Sequence, residues 1–566
     1  MAKRTTTSTV EIVKLDQAIE KVNLEVLDPN LQALLRLLLN KVEEQEKVIK
    51  GLLSENQAFR NEINRLKGEK GKPTIRPQTP SGDISSEKER KTLNSEKTKR
   101  SKRKNHKITV NRIEKCKIDK SKLPEDAIFK GLRSVIVQDL LIHTDNVEFQ
   151  KECYYSPSLN KTFMGQVPKG YEGEFGPGVK AYVLSSYYES NMTESAIVKT
   201  LQTHGILISA CTVSRILTDH KEEYHQEKEE IVKEGLLSSL PKQMDDTGAR
   251  VGGKNQVAHI LCNVWFTSYF TRPHKDRLTL LEILNQGPLT YRVDDVAYAL
   301  MEEMTLSSKW IHVLKTQSLE KDLTQEAMDE LLKELFPDPQ AHQKNRKVIL
   351  EATALAAYRA KPDSLKILLS DEAPQFHLLT SDPASCWIHE GRHYKKLTPC
   401  FTLHQIYLEK FLKKFWAYYK ALLKYKDRPR PASAKRLSQR FDTLFSEKTG
   451  YDELDKRIAM TAARKTSLLL VLRFPKLPLH NNASELGARA QARKRDISLH
   501  TMSQKGTEAK DTLMTIAETA KKQSVNIYHY FYDRITQTYK MPSLAKLIKL
   551  ASVEHSMSPL SFALAT

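Results

Sequence analysis

An apolar run rich in β-branched and aromatic residues, VAHILCNVWFTSYF at 257–270, interrupts a chain that is otherwise patterned mostly for helices. It follows a GGKN turn at 252–255, and it predicts a strand or one arm of a hairpin. A second short apolar run, LKILLS at 365–370, predicts a buried strand. Helix-forming stretches near 300–362 and 402–475 predict helical insertions. The fold class predicted is therefore α/β, with long helical excursions from a sheet.

A heptad pattern runs from Leu35 to Leu66. Eight of its ten core positions are apolar, and Asn56 stands at a position that sets register in two-stranded coils. The pattern predicts a coiled coil and hence a homodimer or higher oligomer. The alternative is a helix that packs within its own chain.

A polar linker follows at 69–108. Between 97 and 107, seven of eleven residues are Lys or Arg and none is acidic. Such a segment stays solvated and neutralises phosphates without reading sequence. The DNA-binding candidates in it are Lys97, Arg100, Arg103 and Lys104.

The whole chain of 566 residues carries 90 Lys and Arg against 69 Asp and Glu, a formal net charge of +21. An excess of this size indicates a polyanionic partner, most often nucleic acid. No apolar stretch approaches the roughly 20 residues that span a bilayer, and no secretory signal follows the first charges. The lack of such a stretch predicts no membrane partner. Six widely spaced cysteines, with no close pair, indicate a reducing, cytoplasmic compartment.

Residues 192–220 predict a helix, a turn at Gly205 and a second helix capped by Ser209. This pattern is typical of a helix-turn-helix, although many helical hairpins share it. Thr212, Ser214 and Arg215 are the further candidates for DNA contact on the second helix.

Acidic residues stand at the predicted strand ends. Asp245 and Asp246 precede a turn and a strand, Asp371 follows a buried strand, and Glu485 lies at a helix start. Carboxylates in such positions suit a pair of Mg²⁺ ions, which prefer oxygen ligands and stabilise both the attacking and leaving oxygens of a phosphodiester. Spacing alone does not single out these three, because most acidic side chains are simply solvated.

Several ordered motifs together resemble the DDE transposases of the insertion-sequence sixty-six group. They are FGPGVKAYVLSSYYESNMTESAIVKTLQTHGILISACTVSRIL, DDTGARV, LLSDEAPQF, CWIHEGRHYKKL, NNASELGAR and SQKGTEAKDTLMTIAETAKK. The resemblance implies an RNase-H-like core in which Asp245, Asp371 and Glu485 are catalytic and hold two Mg²⁺ ions, with Mn²⁺ as a substitute. It implies cleavage at the ends of a mobile element and transfer of the new 3′-hydroxyl into target DNA.

His389, Arg392, Arg489 and Arg495 are candidate accessory residues for this chemistry. Of these, His389 and Arg392 are expected to orient phosphate oxygens, and Arg489 and Arg495 to grip the DNA backbone. Ordinary packing is the alternative for His389. The expected partners are the element's terminal repeats, target DNA and accessory proteins of the same element, in a bacterial, nucleoid-associated setting.

One departure concerns zinc. Family members often carry a zinc module before the helix-turn-helix, but 109–170 holds only Cys116 and Cys153, which cannot supply four ligands. No structural zinc is expected. Two other functions stay open: a catalytically inactive DNA-binding remnant or regulator, and an RNase-H-like nuclease without joining activity.

These patterns divide the chain into six segments. They are a coiled-coil segment (1–68), the linker (69–108), a degenerate zinc-module-like region (109–190), the helix-turn-helix region (191–235), the catalytic domain (236–535) and a tail (536–566).

Overall fold

The computed structural model describes residues 7–20, 28–66, 109–119, 123–124, 126–140, 142–317, 322–338, 340–371 and 373–554. The linker candidates Lys97, Arg100, Arg103 and Lys104 lie outside these ranges.

Two helices come first, α1 (Thr7–Glu20) and α2 (Pro29–Leu66). A small hairpin of β1 (Cys153–Ser156) and β2 (Lys161–Met164) precedes four more helices. These four are α3 (Pro177–Tyr188), α4 (Glu194–Thr203), α5 (Ala210–Thr218) and α6 (Glu222–Leu237).

A five-stranded mixed sheet follows. Its first three strands form an antiparallel meander, β3 (Lys242–Val251), β4 (Lys254–Cys262) and β5 (Thr267–Arg272). A helical excursion then carries α7 (Arg277–Asn285), β6 (Tyr291–Arg292), α8 (Asp295–Glu303), α9 (Ser308–Thr316), β7 (Asp322–Leu323), α10 (Gln325–Leu335) and α11 (Gln343–Arg359). The chain returns as β8 (Ile367–Ser370), which pairs in parallel with β3, and β9 (Asp382–Ser385), which pairs in parallel with β8. The strand order is β5-β4-β3-β8-β9, and the predicted α/β class is confirmed.

A second helical excursion follows β9. It contains α12 (Trp387–Lys395), α13 (Thr402–Asp427), α14 (Pro431–Phe445), α15 (Asp452–Ala462) and α16 (Lys465–Leu468). The last helices are α17 (Asn482–Ser498), α18 (Gln504–Lys522), α19 (Ile527–Ile535) and α20 (Leu544–Glu554). Helices α13 to α16 fill the expected insertion near 402–475, whereas the first insertion begins earlier than expected, at Arg277.

Helix α18 covers the edge strand β5 with side-chain hydrogen bonds. The backbone N–H groups of Thr267 and Tyr269 donate to the hydroxyls of Thr519 and Thr515, at 3.2 and 3.1 Å. One turn further, the N–H of Thr271 donates to buried Asp511. Because these acceptors recur every four residues on one helix face, they replace a missing strand and close the edge to pairing.

Helices α4 and α5 coincide with the two helices predicted within 192–220, and Ser209 caps α5 by accepting from the N–H of Thr212. That they act as a DNA-binding helix-turn-helix stays a prediction. Val213 and Leu217 of α5 are buried in the core that also holds the sheet's Met244 and Ile260. Residues of the segment 191–235 therefore share a hydrophobic core with the sheet.

The second excursion has a core of its own around Trp387, which is fully buried. Its indole packs among aromatic rings of α13 and α14, and its Nε1–H donates to the carbonyl of Leu468. Trp387 is thus a packing residue that joins the strand end of β9 to the helical insertion.

The long helix α2 divides into two parts. Its first part packs on the insertion through Leu39, which is buried, and through Glu43, which bonds to buried His404 and to the hydroxyl of Tyr451. Farther along, the heptad residues Leu52 and Phe59 are 59% and 68% exposed. Packing within the chain therefore accounts for the first part, and self-association through the second part stays a prediction.

Residues 544–554 correct the expected C-terminal tail. They form α20, whose Leu544 and Ile548 are buried in the main core. The apolar side chains of this helix contact α6, so a core element extends beyond residue 535. No helix among the described residues is both long and apolar enough to cross a membrane.

Candidate active site

Asp245 and Asp371 come from adjacent parallel strands. Gln243 of β3 lies opposite Leu369 of β8, so continuing the register by two residues places Asp245 beside Asp371. Asp371 ends the strand by accepting a hydrogen bond from the N–H of Ala373 at 3.0 Å. Asp245 therefore lies inside β3, and not before a strand as the sequence predicted, whereas Asp371 directly follows the end of β8. The register of these two strands brings the two distant acidic residues to one point of the sheet.

Glu485 approaches Asp245 and Asp371 from the first turn of α17. Two side chains fix that turn: buried Asn481 donates to the carbonyl of Met244 at 3.0 Å, and Gln243 accepts from the N–H of Ala483 at 3.1 Å. Gly487 permits the close approach of helix and sheet, because a Cβ there would lie 2.8 Å from Ile260. The sequence reasoning missed these positioning residues, although an asparagine just before a helix start is a recognisable signal.

The three acidic side chains interact electrostatically. Burial raises the pKa of Asp245 to about 7, against a smaller opposing effect of the hydrogen bond from the N–H of Asp246. The charges of Asp371, Asp246 and Glu485 raise the pKa of Asp245 further. A carboxyl group that resists ionisation at neutral pH next to other carboxylates is the signature of a site that a cation would stabilise.

Asp246 is occupied elsewhere. Lys275 lies 2.6 Å from one of its oxygens, and the amide of Gln375 donates to the other at 2.8 Å. Both carboxylate oxygens of Asp246 are therefore held by side chains other than the candidate metal ligands.

Glu485 is bound by Arg392 of α12. The guanidinium donates through Nη1 at 2.8 Å and through Nη2 at 3.2 Å, a bidentate contact. His389 completes the group, with its Nε2 3.0 Å from Arg392 Nη1 and 3.6 Å from the carboxylate. Burial, followed by the charge of Arg392, lowers the pKa of His389, and its Nδ1 is buried without a hydrogen-bond partner among the described residues.

Helix α12 presents different residues to different neighbours. Glu390, fully buried, pairs with Arg457 and Arg464 of the helical insertion. Gly391 lets the ring of Trp416 approach so closely that an added Cβ would lie 2.6 Å from it. The same short helix therefore fastens the insertion on one side and holds Arg392 against Glu485 on the other.

The other two arginine candidates differ. Arg489 is 56% exposed and lies 3.7 Å from Glu485, whereas Arg495 donates to the carbonyl of Gly248 at 2.6 Å. Arg489 is the freer of the two to reach a phosphate, and Arg495 supports β3.

The helix-turn-helix candidates also differ. The hydroxyls of Ser209 and Thr212 bond to each other at the cap of α5, and Ser214 hydrogen-bonds to Glu194, which lowers a pKa of Glu194 that burial raises. Arg215 is exposed. The serine and threonine hydroxyls therefore serve the local structure, and Arg215 alone of the four has a solvated charge.

The donor set suits a hard divalent cation, since it offers carboxylate oxygens and a strained buried acid. Among the described residues, however, no three His, Cys, Asp or Glu side chains are grouped closely enough to hold one metal ion. The bidentate contact of Arg392 explains part of this, because it holds the Glu485 oxygens.

Two comparisons with known proteins match parts of this chain. The model of the Transposase IS66 family matches residues 367–509, which include Asp371 and Glu485 but not Asp245. The uncharacterized protein y4jO of Sinorhizobium fredii (strain NBRC 101917 / NGR234) is 32% identical over 304 residues, which cover 53% of this chain and 93% of that relative. The chain belongs to the Transposase IS66 family.

Proposed function

We propose that this transposase cuts DNA at the ends of its element and joins the new 3′-hydroxyl to target DNA, with Asp245, Asp371 and Glu485 as catalytic residues. The observation that carries the proposal is the placement of three acidic residues from β3, β8 and α17 in one region of the sheet, where burial above all, and then the charges of Asp371 and Glu485, raise the pKa of Asp245 to about 7. Such convergence costs folding free energy unless the site binds a cation, so it points to function.

The order β5-β4-β3-β8-β9 supports an RNase-H-like core. Of its five strands, β5, β3, β8 and β9 point in the same direction, and β4 alone points in the opposite direction. This topology sets the first acidic residue on the central strand and the second at the end of the adjacent one.

The three carboxylates would hold two Mg²⁺ ions, for which Mn²⁺ would substitute, and the bound ions would activate the nucleophile and offset charge on the departing oxygen. The protein's own part is to bring these oxygens together. Glu485 can join the site only after its bidentate contact with Arg392 opens.

Arg392, once released, is placed to donate to a phosphate oxygen, because the guanidinium matches phosphate in the same bidentate way as carboxylate. Burial and the charge of Arg392 lower the pKa of His389, which disfavours a second positive charge beside Arg392, and the His389 Nε2 lies 3.0 Å from the Arg392 guanidinium and so helps to hold it in place. Both steps are in-line displacements at phosphorus, in which positioning and charge supply most of the rate.

A nicking assay on element-end DNA with Mg²⁺ tests this function. Asp245→Asn should abolish cleavage and leave end binding largely intact. Asp246→Asn is the matched control, since Asp246 is already held by Lys275 and Gln375, and it should retain cleavage. Equal cleavage by both variants and the unaltered protein would refute the assignment.

The contact between Arg392 and Glu485 also favours a second candidate, a DNA-binding remnant without catalysis, because a permanently closed pair would exclude metal. A strand-transfer assay with pre-cleaved ends separates the two. Joined product supports the transposase, and its absence with intact DNA binding supports the remnant. Cleavage without joining would indicate a nuclease.

A further inference from the structure

The helical insertion carries a continuous row of cations on its surface. Lys413, Lys420 and Lys424 follow one face of α13, Arg428 directly follows the end of that helix, and all four are exposed. Because an α-helix rises about 1.5 Å per residue, the three lysines span roughly 16 Å, and Arg428 extends the row beyond the helix. Arg436 and Arg440 of α14 extend it sideways. These six residues are called the basic row below.

Shallow grooves run along the basic row. One is lined by Lys413, Trp416 and Lys420, with Glu409 at one end, and the next by Lys424, Arg428 and the two arginines of α14. The small side chains Ala417 and Ala421 lie between the cations, so a partner's backbone can approach closely.

Within the described residues, no carboxylate pairs with any member of the basic row. Nearby cations behave differently: Lys414 pairs with Glu447 at 2.6 Å, and Lys465 pairs with Asp442 at 2.7 Å. Arg440 is instead stacked over the ring of Tyr418, at 5.6 Å from its centroid. The positive charges of the basic row thus have no partner of opposite charge in the described part of the chain, whereas neighbouring lysines do. Such a row is suited to binding a polyanion from outside the protein.

Trp416 connects the basic row to helix α12. Its indole packs on Gly391 of α12, one residue before Arg392, and it also lines the first groove. The first groove is therefore joined, through one side chain, to the helix that carries Arg392.

We propose that the basic row holds the DNA duplex that continues from the scissile phosphate. A duplex carries one phosphate per roughly 3.4 Å of axis on each strand, so a row of this length faces several phosphates. The contacts are to the backbone and read no sequence. This inference rests on the proposed function and adds a second DNA contact to it.

The test measures binding of the full-length protein to a 30-base-pair duplex over a range of salt concentrations. Lys420→Gln with Lys424→Gln should lower the slope of log affinity against log salt by about 1.8, since each phosphate contact contributes about 0.9. The matched control, Lys414→Gln with Lys465→Gln, removes the same charge from paired positions and should leave the slope unchanged.

Equal slopes for the two double variants would overturn the inference that the basic row binds DNA. The proposed function would then still stand if the unaltered protein nicks element ends. Failure of the unaltered protein both to bind duplex and to nick would overturn both. If the row variant loses polyglutamate binding but keeps duplex binding, the partner is an acidic polypeptide and the inference is wrong.

Discussion

Arg392 and Glu485 form a bidentate ion pair, with Nη1 2.8 Å from Oε1 and Nη2 3.2 Å from Oε2. The two residues are 93 positions apart and belong to helices on either side of the helical insertion. Because one partner is a proposed metal ligand and the other a proposed phosphate contact, this pair links metal binding to DNA binding.

Removing the guanidinium should release Glu485 for metal. Arg392→Gln is expected to tighten Mn²⁺ binding without DNA by about tenfold, equivalent to about 1.4 kcal/mol, and to slow DNA cleavage by about 10². Electron paramagnetic resonance titration with Mn²⁺ measures the first effect. Arg489→Gln is the control, because its exposed and longer contact with Glu485 should change the affinity little. Weaker Mn²⁺ binding in Arg392→Gln would contradict the role given to this pair.

Asp245 should make the stability of the metal-free protein fall as pH rises. Its pKa is raised by folding to about 7, so the native state holds a proton that the unfolded chain releases near pH 4. The associated stability is present below about pH 4 and is lost as the pH rises toward 7. Thermal unfolding between pH 4 and pH 8 measures this.

The Asp245→Asn variant supplies the comparison. It should unfold at a higher temperature than the unaltered protein at pH 8, and at a similar temperature at pH 4. Added Mn²⁺ should then stabilise the unaltered protein and not the variant. If the variant is less stable than the unaltered protein at pH 8, the ionised carboxylate of Asp245 does not destabilise the folded state, and the prediction is wrong.

Gly391 should be intolerant of a larger side chain. Gly391→Ala places a methyl group 2.6 Å from the ring of Trp416 and 3.3 Å from that of Phe415. The expected cost is about 1–3 kcal/mol of unfolding free energy, since Phe415 is fully buried and the ring of Trp416 must shift out of its contact with α12. Gly51→Ala, in an open part of α2, should stabilise that helix by roughly 0.5–1 kcal/mol. Urea unfolding measures both effects. An unchanged unfolding free energy in Gly391→Ala would mean that α12 and α13 are less tightly packed than the structure indicates.

The hydrogen bonds at the edge strand should be individually important. Thr515→Val removes the acceptor of the Tyr269 N–H, and leaving that buried donor unpaired should cost about 1–3 kcal/mol. Thr203→Val, whose exposed hydroxyl bonds only to its own helix, should cost much less. Calorimetric unfolding of both variants measures the difference, and equal effects would argue against the role of α18 as an edge cover.

The exposed part of α2 should mediate self-association. Leu52→Asp with Phe59→Asp places charges on the exposed heptad face and should reduce the oligomer to a monomer in light scattering, because a coiled-coil core does not accept unpaired charge. The matched control, Lys41→Asp with Glu44→Lys, alters charge on the same helix in an exposed surface pair and should leave the mass unchanged. A mass unaffected by the first pair would assign α2 wholly to packing within its chain.

Local patterns predicted β4, β5 and β8, the cap at Ser209 and the helical insertions, because those features depend on residues close in sequence. They did not predict β3 or β9, and they placed Asp245 before a strand and not inside one. The pairing of Arg392 with Glu485 was not predictable in this way. It depends on α12 being fixed by Glu390 on one side and by the fit of Trp416 against Gly391 on another. Likewise, the tail assignment failed because burial of Leu544 and Ile548 depends on the position of α6, which is remote in sequence.

The most direct test of the metal site is anomalous diffraction from crystals soaked in Mn²⁺ in the presence of element-end DNA. The predicted result is two anomalous peaks about 4 Å apart between the carboxylates of Asp245, Asp371 and Glu485, with Arg392 turned onto a phosphate. Absence of any peak there, with Arg392 still paired to Glu485, would contradict the proposed chemistry.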